Sequence, residues 1–385
     1  MKRILLAICG TAMAFGCLTA NAGNDKTDIK VMTQNQYLGA DLGPVIAATP
    51  AEYPFAIVNA LQAIAVNNMS ERAVALSESI ADRQPHLVAL QEVYAFGCTS
   101  LVPGYDACSA FPGAFNDHLV LTEAALADMG SDYRVVAVLQ NLTIPVLPVY
   151  LPGIQGPAMI VSVIDRDVIL ARGDVEASPV AIPCISVVPG VDPKPGPGGI
   201  GCHYTAVATV QTPLGDITVE RGFIAMNATV KGEDYLFVNS HLEIRQLGDS
   251  VASTGLQPAQ AYELSIALGN YQQDSDHRVI LAGDFNSAPT DVHPYGAPTP
   301  YQQLSALFAD TWEHRPGKPG GFTCCEAADL LNDPSSHDRR IDIVFANPAP
   351  AKVKANVMDA KLDDKTASGL WPSDHASVIA ELTYD

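Results

Sequence analysis

ILAGDFNSAP, residues 280–289, sets a carboxylate, Asp284, and a carboxamide, Asn286, two residues apart at the end of an apolar run. The run Val279-Ile280-Leu281-Ala282 reads as a strand buried on both faces, with Gly283 as the point where the backbone turns on emerging. Polar side chains delivered at such a strand end face a cleft. A hard cation such as Mg²⁺ takes oxygen ligands and keeps several waters, so a carboxylate beside a neutral amide suits both the ion and a phosphate. Alone, Asp-x-Asn reads first as an Asx turn, because both residues are ordinary turn formers. The rest of the chain decides between the two readings.

Similar β-rich apolar segments occur at Ile29–Met32, Leu87–Leu90, Tyr133–Leu139, Val168–Ala171, Ile224–Val230, Tyr235–Val238, Ile341–Phe345 and Ser377–Thr383, giving about nine strands in all. Helical periodicity appears at Tyr53–Asn67, Glu71–Arg83, Asn116–Met129, Pro258–Tyr271 and Pro300–Phe308. Several strands are separated by hairpin-length connections, so a mixed α/β sandwich fits better than an all-parallel sheet. Two stretches interrupt the pattern and read as surface-loop insertions. Residues 141–157 are apolar and proline-rich, and residues 178–201 are rich in Gly and Pro. An apolar loop of the first kind either packs on its own domain or touches lipid and roofs a cleft.

The chain has 385 residues, within reach of one large catalytic domain with insertions. Residues 1–22 carry Lys2 and Arg3, an apolar stretch from Ile4 to Leu18 and the small-residue ending Ala20-Asn21-Ala22, the pattern of a signal peptide. The expectation is an exported protein, periplasmic or extracellular, with one domain over residues 23–385. Cys17 in the run AFGC offers a lipoprotein site as the alternative, against which Phe15 argues. No later stretch has the roughly 20 uninterrupted apolar residues of a spanning helix.

Six cysteines remain after the leader: Cys98, Cys108, Cys184, Cys202, Cys324 and Cys325. An even number in an oxidising compartment implies disulfides. Local spacing favours Cys98 with Cys108 and Cys184 with Cys202, leaving the adjacent Cys324 and Cys325 either to each other or to cross-pairing with another loop. The formal charge of −20, which becomes −22 without Lys2 and Arg3, disfavours broad phosphate neutralisation along nucleic acid. A polyanion would have to be met locally, by a bound divalent metal and a few arginines.

The remaining strand ends carry a set of polar residues that metal-assisted phosphoester hydrolysis needs. Asn35 follows the first strand in VMTQNQYLG. Glu92 closes LVALQEV, where a carboxylate is costly to bury unless paired or bound to a cation, making it the foremost candidate for a direct metal ligand. His241 follows YLFVNS. Asp342 begins a strand in RRIDIVFAN, and Asp374 and His375 stand together in WPSDHASV, just before the last strand. A histidine there can act as general base for water if a carboxylate such as Asp342 fixes its tautomer.

Together these motifs resemble the endonuclease/exonuclease/phosphatase superfamily, which includes secreted deoxyribonucleases, abasic-site endonucleases, neutral sphingomyelinases and inositol polyphosphate phosphatases. The resemblance spans roughly Ile29 to Leu382, with TQNQYLG, LVALQEV, NSHLE, GDFNSAP, RIDIVFA and SDHASV in family order. It implies a four-layer α/β/β/α sandwich of two packed mixed β-sheets flanked by helices. It also implies one or two Mg²⁺ ions, with Mn²⁺ or Ca²⁺ as substitutes, and in-line attack of water on phosphorus. Carried over by motif, Glu92 binds the metal with Asn35 and Asp374, and His375 is the general base oriented by Asp342. Asp284 and Asn286 position the nucleophile or a second metal, and Asn286 touches a phosphate oxygen. His241 binds phosphate or protonates the leaving oxygen, and Arg221 contacts phosphate.

The expected activity is secreted, Mg-dependent phosphoester hydrolysis. The substrate is left open among nucleic acid, a phospholipid head group and a small phosphodiester, and so are peripheral lipid contact and oligomeric state. A sphingomyelinase-like phospholipase C is the alternative among enzymes. A non-catalytic exported binding protein on the same fold is the alternative of another class, against which the intact Glu92, Asp284, Asn286, Asp374 and His375 argue.

Overall fold

The computed structural model describes residues 27–245, 251–317 and 320–385; the leader expected over residues 1–22, with Cys9 and Cys17, lies outside them. One sheet contains β1 (Thr27–Asn35), β2 (Leu87–Gln91), β3 (Ala95–Ser100), β4 (Tyr133–Val149), β5 (Met159–Arg172), β16 (Lys352–Met358) and β17 (Ser377–Tyr384). The other contains β6 (Glu176–Pro179), β7 (Lys194–Pro195), β8 (Cys202–His203), β11 (Gly222–Val230), β12 (Glu233–His241), β13 (Arg278–Asp284), β14 (Ala309–Asp310) and β15 (Asp342–Asn347). A separate hairpin pairs β9 (Ala208–Thr212) with β10 (Gly215–Val219). The pairs β1–β2 and β12–β13 are parallel and their neighbours antiparallel, so both sheets are mixed.

Period-two alternation in the central strands builds the layers. Val31, Leu87, Ala89, Ile280, Ala282 and Val344 face the gap between the sheets and form its dry core. Their neighbours turn outward. Met32, Val88 and Leu90 meet Ile80 of α3 (Met69–Arg83) and Leu119 and Leu126 of α4 (His118–Asp128). Val279, Leu281, Ile343 and Phe345 meet Leu264 and Leu268 of α5 (Val251–Gln273) and Leu304 of α6 (Pro300–Ser305). The order is therefore helices, sheet, sheet, helices, the four-layer α/β/β/α sandwich. Each such aliphatic side chain contributes roughly 1.5–3 kcal/mol on full burial. Among the described residues, no helix is long and apolar enough to cross a membrane.

Three expectations need correction. Residues 141–157 are not simply a loop: β4 runs on to Val149 and pairs with β5 as far as Met159. The prolines obscured this. Pro145 falls in a register shift and Pro148 lies on a strand paired on one side only, where a missing N–H costs no ladder bond. Residues 178–201 likewise begin inside β6, which pairs with β11, and include β7; only the remainder is irregular. Gly283 does not turn the chain. It stays in the ladder between Ser240 and Ile343, and a Cβ there would lie 1.9 Å from Ser240 O, so close approach of β12 is what requires glycine. The segments β3, β6, β7, β8, β9, β10, β14 and β16 add to the expected strands. The cysteines pair as Cys98–Cys108, Cys184–Cys202 and Cys324–Cys325.

Candidate active site

Register places the polar residues. His241 is the Cα partner of Asp284 across the parallel β12–β13 pair, and Asp284 is the partner of Asp342 across β13–β15, so three adjacent strands deliver three polar groups side by side. The first sheet supplies the rest: Asn35 ends β1, and Glu92 follows β2 with a left-handed φ of 54°. The two sheets are tied just beneath. Buried Asn239 donates from Nδ2 to Leu90 O at 2.9 Å and Val168 O at 3.0 Å, and accepts from Gln91 Nε2 at 2.7 Å.

Asn35 Nδ2 donates to Glu92 Oε1 at 3.2 Å and Asp284 Oδ2 at 3.1 Å, while its Oδ1 accepts from Tyr37 N at 2.9 Å. Its amide nitrogen thus faces the two carboxylates. Glu92 Oε2 accepts from Leu38 N at 3.0 Å. Asp284 serves both readings of its motif. Its Oδ1 accepts from Asn286 N at 2.9 Å, an Asx turn, while its Oδ2 points to Asn35, to His241 Nε2 at 3.6 Å and to His375 Nδ1 at 3.8 Å. Burial, and then neighbouring Asp342, push the Asp284 carboxyl up to about 7. Asn286 Nδ2 donates to Leu242 O at 3.0 Å and lies 3.4 Å from His241 Nε2.

His375 Nδ1 is 2.9 Å from Asp342 Oδ2. Burial opposes the imidazolium, but Asp342, Asp374 and Asp284 outweigh it and raise His375 well above the usual histidine range. Asp374, next along the chain, is half-buried, and burial pushes its carboxyl up to about 7 against the pull of His375, with Glu92 adding to the rise. The second histidine is held the other way. Burial, then Arg221 and His375, keep His241 well below its usual range, so it is neutral. Arg221 Nη1 lies 2.9 Å from His241 Nδ1; a guanidinium can only donate, so the proton of the neutral ring sits on Nε2, facing Asp284.

Arg221 itself is buried, with Asp165 Oδ2 at 3.3 Å and Glu243 Oε2 at 3.6 Å, so its guanidinium stands behind His241, on the side away from Asp284. Asp165 and its neighbour two along, Asp167, were not singled out from the sequence. The available signal is IDRDV: two acids alternating within an apolar strand point to the same buried face. Burial raises Asp165 to about 7 and Asp167 well above its usual range, and Asn141 Nδ2 donates to Asp167 at 2.8 Å. Arg72 also escaped notice. Fully buried on α3, it donates to the carbonyls of Asn67, Gln36, Tyr37 and Pro372, which fixes the segment leading to Asp374 and His375; burial lowers it to about 10.

The donor set suits a hard divalent cation. Oxygen and nitrogen ligand atoms of Asp284, Asp342 and His375 lie within 4.8 Å of one another, and Asp342 Oδ1 is buried without a hydrogen-bond partner among the described residues. Carboxylate oxygens of this kind favour Mg²⁺-like ions over soft ones. Around Asp284 the site thus gathers carboxylates of the kind that hold a hard cation, with His375 and the neutral His241 on either side.

The family model described as "Endonuclease/Exonuclease/phosphatase family" matches residues 64–375. No curated protein sequence matches the chain. Among solved structures, the chain is similar to an endonuclease/exonuclease/phosphatase from Beutenbergia cavernae, at 22% identity, TM-score 0.48, covering 93% of this chain and 72% of that one. It is also similar to a family protein from Bacteroides thetaiotaomicron, at 14% identity, TM-score 0.49, covering 94% and 99%. A third is truncated TDP2 of Caenorhabditis elegans, at 13% identity, TM-score 0.45, covering 92% and 97%. With the family match running from Glu92 through Asp284 and Asp342 to His375, the chain belongs to the endonuclease/exonuclease/phosphatase family.

Proposed function

We propose that this protein is an exported, Mg²⁺-dependent phosphoester hydrolase of one catalytic domain over residues 23–385, in which His375 activates the attacking water. The observation that carries the reading is the row in which Asn35 hydrogen-bonds both Glu92 and Asp284, with His375 and His241 at 3.8 and 3.6 Å from the same Asp284 carboxylate. Glu92 and Asp374, with Asn35 and Asp284 next to them, would hold the divalent ion, which when bound supplies charge neutralisation at the phosphoryl oxygens. Asp342 holds the His375 ring by Nδ1 and leaves Nε2 to take the proton of water. His241, neutral and protonated at Nε2, donates to a phosphoryl or leaving oxygen. Asn286 keeps Asp284 in place and adds an amide donor, while Arg221 acts as a positioning residue for His241. Mn²⁺ or Ca²⁺ would fit the same oxygen donors.

Two measurements test the reading together. Phosphodiester hydrolysis by the wild-type protein should vanish with EDTA and return with Mg²⁺. His375→Ala should lose about a thousandfold in kcat with an unchanged unfolding midpoint. Chelator-resistant turnover, or activity surviving in His375→Ala, would refute it.

A further inference from the structure

Next to the catalytic row lies an apolar cavity of about 150 Å³ that the chemistry above does not use. It begins where the row ends. Leu38, whose N–H donates to Glu92, lines it, and so does Tyr94, two residues beyond Glu92. The Tyr94 ring belongs to the cavity wall, while burial and the charges of Asp165 and Glu92 raise its hydroxyl well above the usual range, so this one side chain spans the boundary between hydrocarbon and charge. The opposite wall is the far half of β4, where Leu142, Ile144 and Leu147 face inward. The β9–β10 hairpin closes one side with Val210, Ile217 and Val219. At the mouth, Leu42, which precedes the short helix α1 (Gly43–Ile46), and Ile46 at its end are 37% and 43% exposed.

An apolar space of about this size is large enough to take up a benzene-sized hydrocarbon. An open, lined space beside charged groups is a binding pocket more than a packing defect. We propose that it binds the hydrocarbon portion of the substrate, and that the natural substrate is a phosphodiester of an aliphatic alcohol, a lipid-type ester. This rests on the hydrolase reading above. In the row, His375 stands at one end and Glu92 with Leu38 at the other. Water deprotonated by His375 forms the new P–O bond from the first end, and in-line displacement breaks the P–O bond at the second. The aliphatic alcohol leaves there, taking the proton that His241 carries on Nε2, with its chain in the cavity. The chain's net charge of −20 accords with a single phosphate and an apolar tail better than with a polyanion.

The test uses two probes and two variants, Val163→Phe, which fills the cavity, and Ile144→Asn, which makes its wall polar. Calorimetry with Mg²⁺ present compares ethylphosphonate with hexylphosphonate, neither of which can be hydrolysed at an ester. Turnover compares the ethyl and hexyl esters of glycerol phosphate. Burying a methylene is worth about fourfold, so hexyl should exceed ethyl by at least about tenfold in affinity and in kcat/KM, with hexanol released. Both variants should flatten the chain-length dependence while keeping turnover of the ethyl ester. Equal affinity and turnover for the two chain lengths in the wild type would overturn the proposal, and chelator-sensitive ethyl turnover in that case would leave the hydrolase reading standing. Chain-length-dependent phosphonate binding without turnover would keep the pocket and sink the hydrolase. Faster hydrolysis of a single-stranded DNA oligonucleotide than of the hexyl ester, unaffected by Val163→Phe, would also overturn it.

Discussion

At the scale of single residues, His375 and His241 sit within one cluster and are pushed toward opposite protonation states. Three carboxylates surround His375, whereas Arg221 backs His241. Separation of this kind is how one site carries both an acid and a base. Because His375 must be neutral to accept a proton, activity should rise with pH through its raised pKa. Asp342→Asn removes the carboxylate that raises His375 most, so the acid limb of the pH–rate profile should move to lower pH while kcat falls about a hundredfold. An unmoved limb would show that another group titrates. A second titration lies outside the site. Asp359 is buried, accepts from Ser79 and Ser377, and is raised by burial to about 6. A carboxyl raised on folding favours the native state below its unfolded pKa near 3.8, and that advantage is lost as pH climbs through 6. Urea unfolding should therefore show Asp359→Asn gaining on the wild type by about 2 kcal/mol between pH 4 and pH 8. Asp342 and His375 were legible from their motifs, because acids and histidines at strand ends stand out against apolar runs. Asp165, Asp167 and Arg72 were not, because a charge within a strand or helix shows its burial only once the partner element is packed on it.

At the scale of elements, the site depends on how closely β12 and β13 run. Gly283 has φ of 155°, and any Cβ there meets Ser240 O, so Gly283→Ala must push the two strands apart next to the pair that sets His241 against Asp284. The expected loss is about 3 kcal/mol in stability, with kcat reduced and His375 untouched. A urea midpoint within error of the wild type would refute the close-approach argument. The helices act from behind. Arg72 of α3 holds carbonyls of β1's exit and of Pro372, and Gln257 of α5 donates to the carbonyls of Glu243 and Asn286, so each helix clamps one loop of the site. Helix periodicity placed α3 to within two residues, since an apolar stripe is a local signal, but it started α5 at Pro258 where the helix begins at Val251, because a proline reads as a first-turn residue. The continuation of β4 escaped because Pro145 and Pro148 are breakers everywhere except on an edge, and edge position is not a property of the strand's own sequence.

At the scale of the whole molecule, two mixed sheets meet so that one rim carries polar groups from both. Asn239 is the tie. From the second sheet it bonds the backbone of Leu90 and Val168 in the first, in a gap filled mostly by apolar side chains. Asn239→Ala should lower stability by about 3 kcal/mol, because it strands Gln91 Nε2 and leaves a void. Retained stability in denaturant titration would show that the sheets are joined by apolar packing alone. The sequence by itself determined the elements and the chemistry at their ends. Period-two and helical patterns depend on neighbours a few residues apart, and an unpaired acid or imidazole after a buried strand is anomalous in any fold. Tertiary structure alone decided which of those ends share a cleft, that Arg221 faces His241, and that an apolar hollow opens beside Glu92. Those facts depend on strand register and on contacts between residues over a hundred positions apart, such as Asn35 with Asp284, which no local pattern encodes.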